Sequence, residues 1–204
     1  MSGSVCNGNS DSLCTGCAPQ NICNTGDHNF ARCCSNFDNI IEFTKSLVSA
    51  LGELPTDQDF SVVNFGTAVE VASTLESSKQ SVKTLKQIKY SGGKTNMVGA
   101  INSCQSTLVE SPPDRKNLML IITDGAPSVP NSGAPIVTAN AATDAKNQGT
   151  FIIPILIENP TSQHIQEVNF LRNQISSDGN VFVADFDSLI EIQDTVFDQV
   201  TCQS

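Results

Sequence analysis

Residues 117–125 read NLMLIITDG, and how this stretch folds decides the architecture. Residues 118–122 are apolar without alternation. A half-exposed strand would alternate, so this run predicts a strand covered on both faces. It leads straight into Asp124-Gly125, a turn signal. A second run of the same kind, FIIPILI at 151–157, predicts another buried strand.

Around these two runs the period changes to that of helices. Phe37, Ile40, Ile41, Thr44, Leu47, Val48 and Leu51 form one stripe, with Ser35 and Asp38 as a capping-type start and Gly52 as the stop. Residues 60–65 (FSVVNF) predict a strand, and AVEVA at 68–72 a second, so the two read as a hairpin at a sheet edge. Short helices are expected on Val82, Leu85 and Ile88, and on Met97, Val98, Ile101, Cys104 and Leu108 before Pro112-Pro113. After the quoted strand come a helix at 136–147 ended by Gly149, and one on Ile165, Val168, Leu171 and Ile175. A short strand at 181–183 and a last helix on Leu189, Ile192, Val196 and Val200 complete the chain. Buried strands separated by amphipathic helices predict an α/β fold: a doubly wound, mostly parallel Rossmann-like sheet with helices on both faces and one antiparallel edge strand. Ligands of such sheets bind beyond the carboxyl ends of the strands.

Composition bounds the function. With 204 residues, 39% apolar and 16% charged, the chain is long enough for one domain with its own core. A net charge of −10 without any basic run repels nucleic acid and anionic membrane, and suits cations or basic partners. No stretch approaches the roughly 20 apolar residues of a membrane span. The start, MSGSVCNGNS, does not read as a signal peptide.

Six cysteines (Cys6, Cys14, Cys17, Cys23, Cys33, Cys34) crowd the start of the chain, while Cys104 and Cys202 stand apart. Such density favours disulfides and an oxidising, extracellular setting. Zinc is the competing reading, because Cys14 and Cys17 have ligand spacing, but adjacent Cys33 and Cys34 make an awkward second pair. Cys104 lies on the apolar stripe of its helix and suits a buried thiol as well as a bridge.

The loop SGGKTN at 91–96 resembles a phosphate loop only in part. The glycine required five residues before Gly93 is Ile88, and a helix rather than a strand precedes the loop. No serine, cysteine or histidine arrangement suggests a nucleophile with its base, so no enzyme is expected.

Three loops at expected strand ends hold Ser2-Gly3-Ser4, Gly92 to Asn96, and Thr123-Asp124-Gly125. Alone, Thr-Asp-Gly after a strand also reads as an ordinary turn. In this order and separation, the loops resemble those of the von Willebrand factor type A (vWA) domain, the adhesion module also found as the inserted domain of integrins. Its metal-ion-dependent adhesion site (MIDAS) uses Asp-x-Ser-x-Ser, a threonine in a glycine-containing loop, and an aspartate after a buried strand. The resemblance implies that Ser2, Ser4, Thr95 and Asp124 are the metal residues, with magnesium (or manganese or calcium) as cofactor. It further implies a protein or extracellular-matrix ligand whose acidic group completes the coordination, and a location outside the cell or on its surface.

The chain departs from the family at its start. The first aspartate of the motif would stand one residue before Met1, and the apolar first strand, central in the family's sheet, is missing from this chain. The expectation is that Met1 is an internal methionine, that one carboxylate of two remains, and that metal affinity is weak or absent. A single vWA-like domain is expected over 1–204, with 5–34 as a cysteine-rich, disulfide-linked insertion. That insertion either rims the metal site or serves as a crosslinked spacer.

Overall fold

The computed structural model describes residues 28–90, 94–130, 133–157, 164–186 and 188–203. Helix α1 (His28–Leu51) is followed by strands β1 (Asp59–Phe65) and β2 (Val69–Ser77), and helices α2 (Ser78–Leu85) and α3 (Met97–Leu108). Then come β3 (Asn117–Thr123), α4 (Ala134–Asn147), β4 (Thr150–Ile157), α5 (His164–Phe170) running into a π turn (Leu171–Ile175), and β5 (Phe182–Ala184). A 3-10 turn (Leu189–Ile192) leads into α6 (Gln193–Gln203).

The buried face of α1 is the expected stripe, with Phe43 added and Thr44 only half-buried. Its start is not the expected one: the helix already runs at His28 and passes through Cys33 and Cys34, so Ser35 is an interior residue and not a cap. A cap is worth about 1 kcal/mol, whereas extending a helix that is already nucleated adds one hydrogen bond per residue at no new nucleation cost. At the other end, a Cβ on Gly52 would lie 2.3 Å from Ser78 Cβ, so glycine lets the start of α2 pack against the end of α1.

β3, β4 and β5 form a parallel sheet in that order, with Leu120 opposite Ile153 and Ile155 opposite Phe182. β1 and β2 pair antiparallel, as expected for an edge hairpin. β2 is longer than AVEVA because the pairing continues through irregularities, with Leu75 in the left-handed region (φ 46°) and its N–H donating to Ser61 Oγ at 3.0 Å.

Two cores flank the strands. On one side, α1 and α6 pack on Ile122, Ile153, Ile155 and Val62. On the other, α3 and α4 pack on Met119, Ile121, Ile152 and Phe65. Each core takes residues from β1 and from β3, so the two sheets are pieces of one layer. They also run the same way. Where they begin, Arg115 pairs with Asp59. Where they end, Asn96 N donates to Gly66 O (2.9 Å), and its neighbour Thr95 bonds to Ser128, just beyond β3. Between β1 and β3 lies a cavity of about 530 Å³.

Near the start of β5, Asp178 organises a polar turn. Its carboxylate accepts from Ser176 Oγ (3.0 Å), Asn180 N (2.9 Å), Asn180 Nδ2 (2.8 Å) and Gln199 Nε2 (2.7 Å). Partial burial acts to raise its pKa, but the bonds from Asn180 and Ser176 outweigh this and hold it below the ordinary 3.8. A depressed carboxylate stabilises the fold above its unfolded pKa, and that stability is lost as pH falls through the lower, folded value. Asp178→Asn is therefore expected to lower the urea midpoint at neutral pH, and the difference from the parent chain is expected to shrink as pH falls through the folded pKa of Asp178.

Candidate metal centre

β3 ends on Thr123, which is fully buried. Its hydroxyl donates to Gly125 O (2.9 Å) and accepts from Gly125 N (3.3 Å), which fastens the turn and fixes Asp124 between them. Asp124 is itself buried, at 7% exposure. A carboxylate taken out of water at a strand end is costly unless something answers its charge.

The second loop is tied to the first. Thr95 is 3% exposed, its N–H donates to Ser128 Oγ (2.9 Å), and Ser128 N–H donates back to Thr95 O (3.0 Å). Ser128 stands four residues after Asp124, so this reciprocal pair zips the threonine loop to the aspartate loop. On its other flank the threonine loop is held by Lys94 N to Thr67 Oγ1 (2.8 Å) and Asn96 Nδ2 to Thr67 O (3.2 Å). Asn96 also caps α3, its Oδ1 accepting from Gly99 N at 3.0 Å. Asn96→Ala removes the cap and the tie to Thr67 together. It is expected to cost about 1–2 kcal/mol, read as a lower urea midpoint at unchanged slope.

Of the residues singled out in the sequence, the structure therefore links the loops of Thr95 and Asp124. Ser2, Ser4, Gly92 and Gly93 lie outside the described residues, as does the cysteine-rich segment up to residue 27. Cys104 and Cys202 are free thiols. Cys104 is half-buried and borders the cavity, and burial pushes its thiol up to about 11.

Two residues near the site had no signal in the sequence. Ser128 acts only through bonds to a loop 33 positions away. Glu167, on α5, reaches the aspartate turn: its Oε1 lies 3.8 Å from where a Cβ on Gly125 would stand. Among the described residues, no group of three or more His, Cys, Asp and Glu is gathered to hold a metal ion. The donors present are a buried carboxylate and a buried hydroxyl. All are oxygens, which suits a hard divalent ion that keeps several waters, such as magnesium, manganese or calcium.

Residues 34–195 match the family model of the von Willebrand factor type A domain. The chain belongs to this family. Solved structures similar to this vWA domain confirm the fold. Proximal thread matrix protein 1 from the mussel byssus, in a structure with a zinc-occupied MIDAS motif, is 23% identical with a TM-score of 0.68. The match covers 81% of this chain and 43% of that one, so the vWA domain spans less than half the length of the mussel protein. Manganese-loaded TRAP from Plasmodium vivax is 17% identical (TM-score 0.56), over 75% of this chain and 63% of that one. The vWF domain of a type V pili tip protein from Porphyromonas gingivalis is 12% identical (TM-score 0.65), over 87% and 90%. No curated protein sequence matches the chain.

Proposed function

We propose that this vWA domain is a non-enzymatic, extracellular or cell-surface adhesion module. It binds an acidic group of a protein or matrix partner through a divalent cation, magnesium in the first instance. The observation that carries this reading is the reciprocal bonding of Thr95 and Ser128, which joins two loops holding a buried hydroxyl and a buried carboxylate at the carboxyl end of the sheet. The zinc-occupied MIDAS of the mussel thread protein and the manganese-loaded TRAP support it by likeness of fold. The likeness to a pilus adhesin from Lactobacillus rhamnosus (TM-score 0.61) supports the adhesive role.

Asp124 and Thr95 would hold the cation, joined by Ser2 and Ser4. Asp124 contributes one negative charge and Thr95 a neutral oxygen. Thr123 and Gly125 keep the aspartate at the strand end, and Ser128 keeps the threonine beside it. When bound, the cation supplies a positive centre to which a partner's carboxylate coordinates. With one carboxylate among the proposed ligands, affinity for the free ion is weak.

One observation favours a second reading, a structural module without a working metal site: the absence of a gathered acidic cluster among the described residues. Binding of chain-coated beads to an immobilised matrix extract, in millimolar magnesium and in EDTA, separates the two. Loss of binding in EDTA and its return with magnesium is the expected result. Binding indifferent to EDTA would leave the structural reading.

A further inference from the structure

Charge is unevenly placed along this chain. Between Glu76 and Glu110 stand Lys79, Lys83, Lys86, Lys89 and Lys94 with no acidic residue, although the whole chain carries −10. After Arg172 the reverse holds: Asp178, Asp185, Asp187, Glu191, Asp194 and Asp198 occur with no lysine, arginine or histidine.

The fold turns each run into a ridge. Lys79 and Lys83 lie on α2 and Lys86 caps its end, a spacing of four and three that sets them on one helix face. Glu191 in the 3-10 turn and Asp194 and Asp198 on α6 are spaced three and four. All of these side chains are exposed. Each ridge spans about 11 Å. Among the described residues, neither ridge is neutralised by an ion pair: Lys45 pairs with Glu42 and Arg115 with Asp59, away from both. Glu76, the acidic residue just before α2, accepts from Thr84 Oγ1 (3.1 Å) instead.

The ridges also stand at the same height. α2 and α6 both pack on α1; α2 packs on β2 as well, and the 3-10 turn before α6 packs on β5, the outer strands of the layer. α2 begins level with Val48, whose carbonyl accepts from Ser78 Oγ (2.9 Å), and the chain after it reaches Phe37, against which Tyr90 sits with ring centroids 5.5 Å apart. α6 runs the other way. Phe186 O accepts from Asn39 Nδ2 (3.0 Å) before it begins, and Val200 near its end borders the same cavity as Val48. The two helices are therefore antiparallel on opposite flanks of α1. A copy shifted sideways without rotation lays its α6 along this α2. The charges then meet in order: Lys79 with Asp198, Lys83 with Asp194, Lys86 with Glu191.

We propose that the lysine ridge of α2 is a docking surface for a second copy of this chain, which presents its acidic α6 ridge to it. The contact is heterologous, so each copy offers its other ridge to the next and copies add in a row. Exposed ion pairs are individually weak and screened by salt. The association is therefore weak in dilute solution and gains strength where copies are held close together.

The test is sedimentation velocity of the whole chain at about millimolar concentration, as weak ion pairs demand, in EDTA so that no cation takes part. The parent is expected to associate at ~0.1 M salt, where charges act over about 10 Å, and to dissociate at ~1 M, where they act over about 3 Å. One variant carries Lys79→Glu, Lys83→Glu and Lys86→Glu; a second carries Glu191→Lys, Asp194→Lys and Asp198→Lys. Each alone sets like charges against one another and is expected to weaken association by at least about 10-fold. Mixed, the two present opposite ridges again and association returns, although both variants remain net negative. A parent that stays monomeric at ~0.1 M salt overturns the proposal; if immobilised heparin then retains it through the lysines, the ridge takes a polyanion instead. Association that persists in either variant alone, or a mixture that stays monomeric, also overturns it.

Discussion

Asp124→Asn is expected to abolish magnesium-dependent binding of the chain to its acidic partner. The substitution keeps the shape of a buried side chain (7% exposed) while removing the proposed centre's charge. Magnesium parts with its waters reluctantly and is held mainly by carboxylates. Changing a residue that only supports a ligand typically costs 10–100-fold in metal affinity, so loss of the charged ligand is expected to exceed about 100-fold. Thr95→Ala removes one neutral oxygen and is expected to cost less, about 10–100-fold. Circular dichroism of both variants should match that of the parent chain. If Asp124→Asn retains magnesium-dependent binding within a few-fold, the cation is held elsewhere.

Ile155→Ala is expected to be the most damaging single change to stability. Ile155 is fully buried at the centre of β4, opposite Ile122 on one side and Phe182 on the other, and belongs to the core under α1. Truncating such a residue removes transfer energy and leaves a cavity, together about 2–5 kcal/mol. Domains of this size are stable by about 5–15 kcal/mol, so the variant loses a large share. Ile165→Ala is the matched control, since Ile165 is 73% exposed and the change should stay within about 0.5 kcal/mol. Urea unfolding of both variants gives the comparison. A cost below about 1 kcal/mol for Ile155 would place β4 outside the core.

Much of the fold was legible because the signals are local. The unbroken apolar runs that became β3 and β4 and the stripe on α1 depend on periodicity alone, and burial in the structure follows them. The start of α1 was not legible. Ser35 and Asp38 read as a cap, but a cap is a preference that an already running helix overrides. The helix expected through Ile175 likewise changes character at Leu171, where Ser176 N reaches back five residues to Leu171 O at 2.8 Å. At the candidate site, the tie between the loops of Thr95 and Asp124 through Ser128 was not legible, nor was the approach of Glu167 to Gly125. Both depend on contacts between distant segments. The Asp59–Arg115 pair is hidden in the same way, joining positions 56 apart where β1 and β3 begin.

The measurement that tests the cation-binding site most directly is paramagnetic broadening of backbone amide NMR signals on titration with manganese. It detects weak binding, as expected for a site with a single carboxylate. The expected result is that the amides of Thr95, Asp124, Gly125 and Ser128 broaden first, and that Asp124→Asn removes the effect. Broadening that begins instead around Asp57 and Asp114, or that persists unchanged in Asp124→Asn, would contradict a metal centre at the carboxyl end of β3.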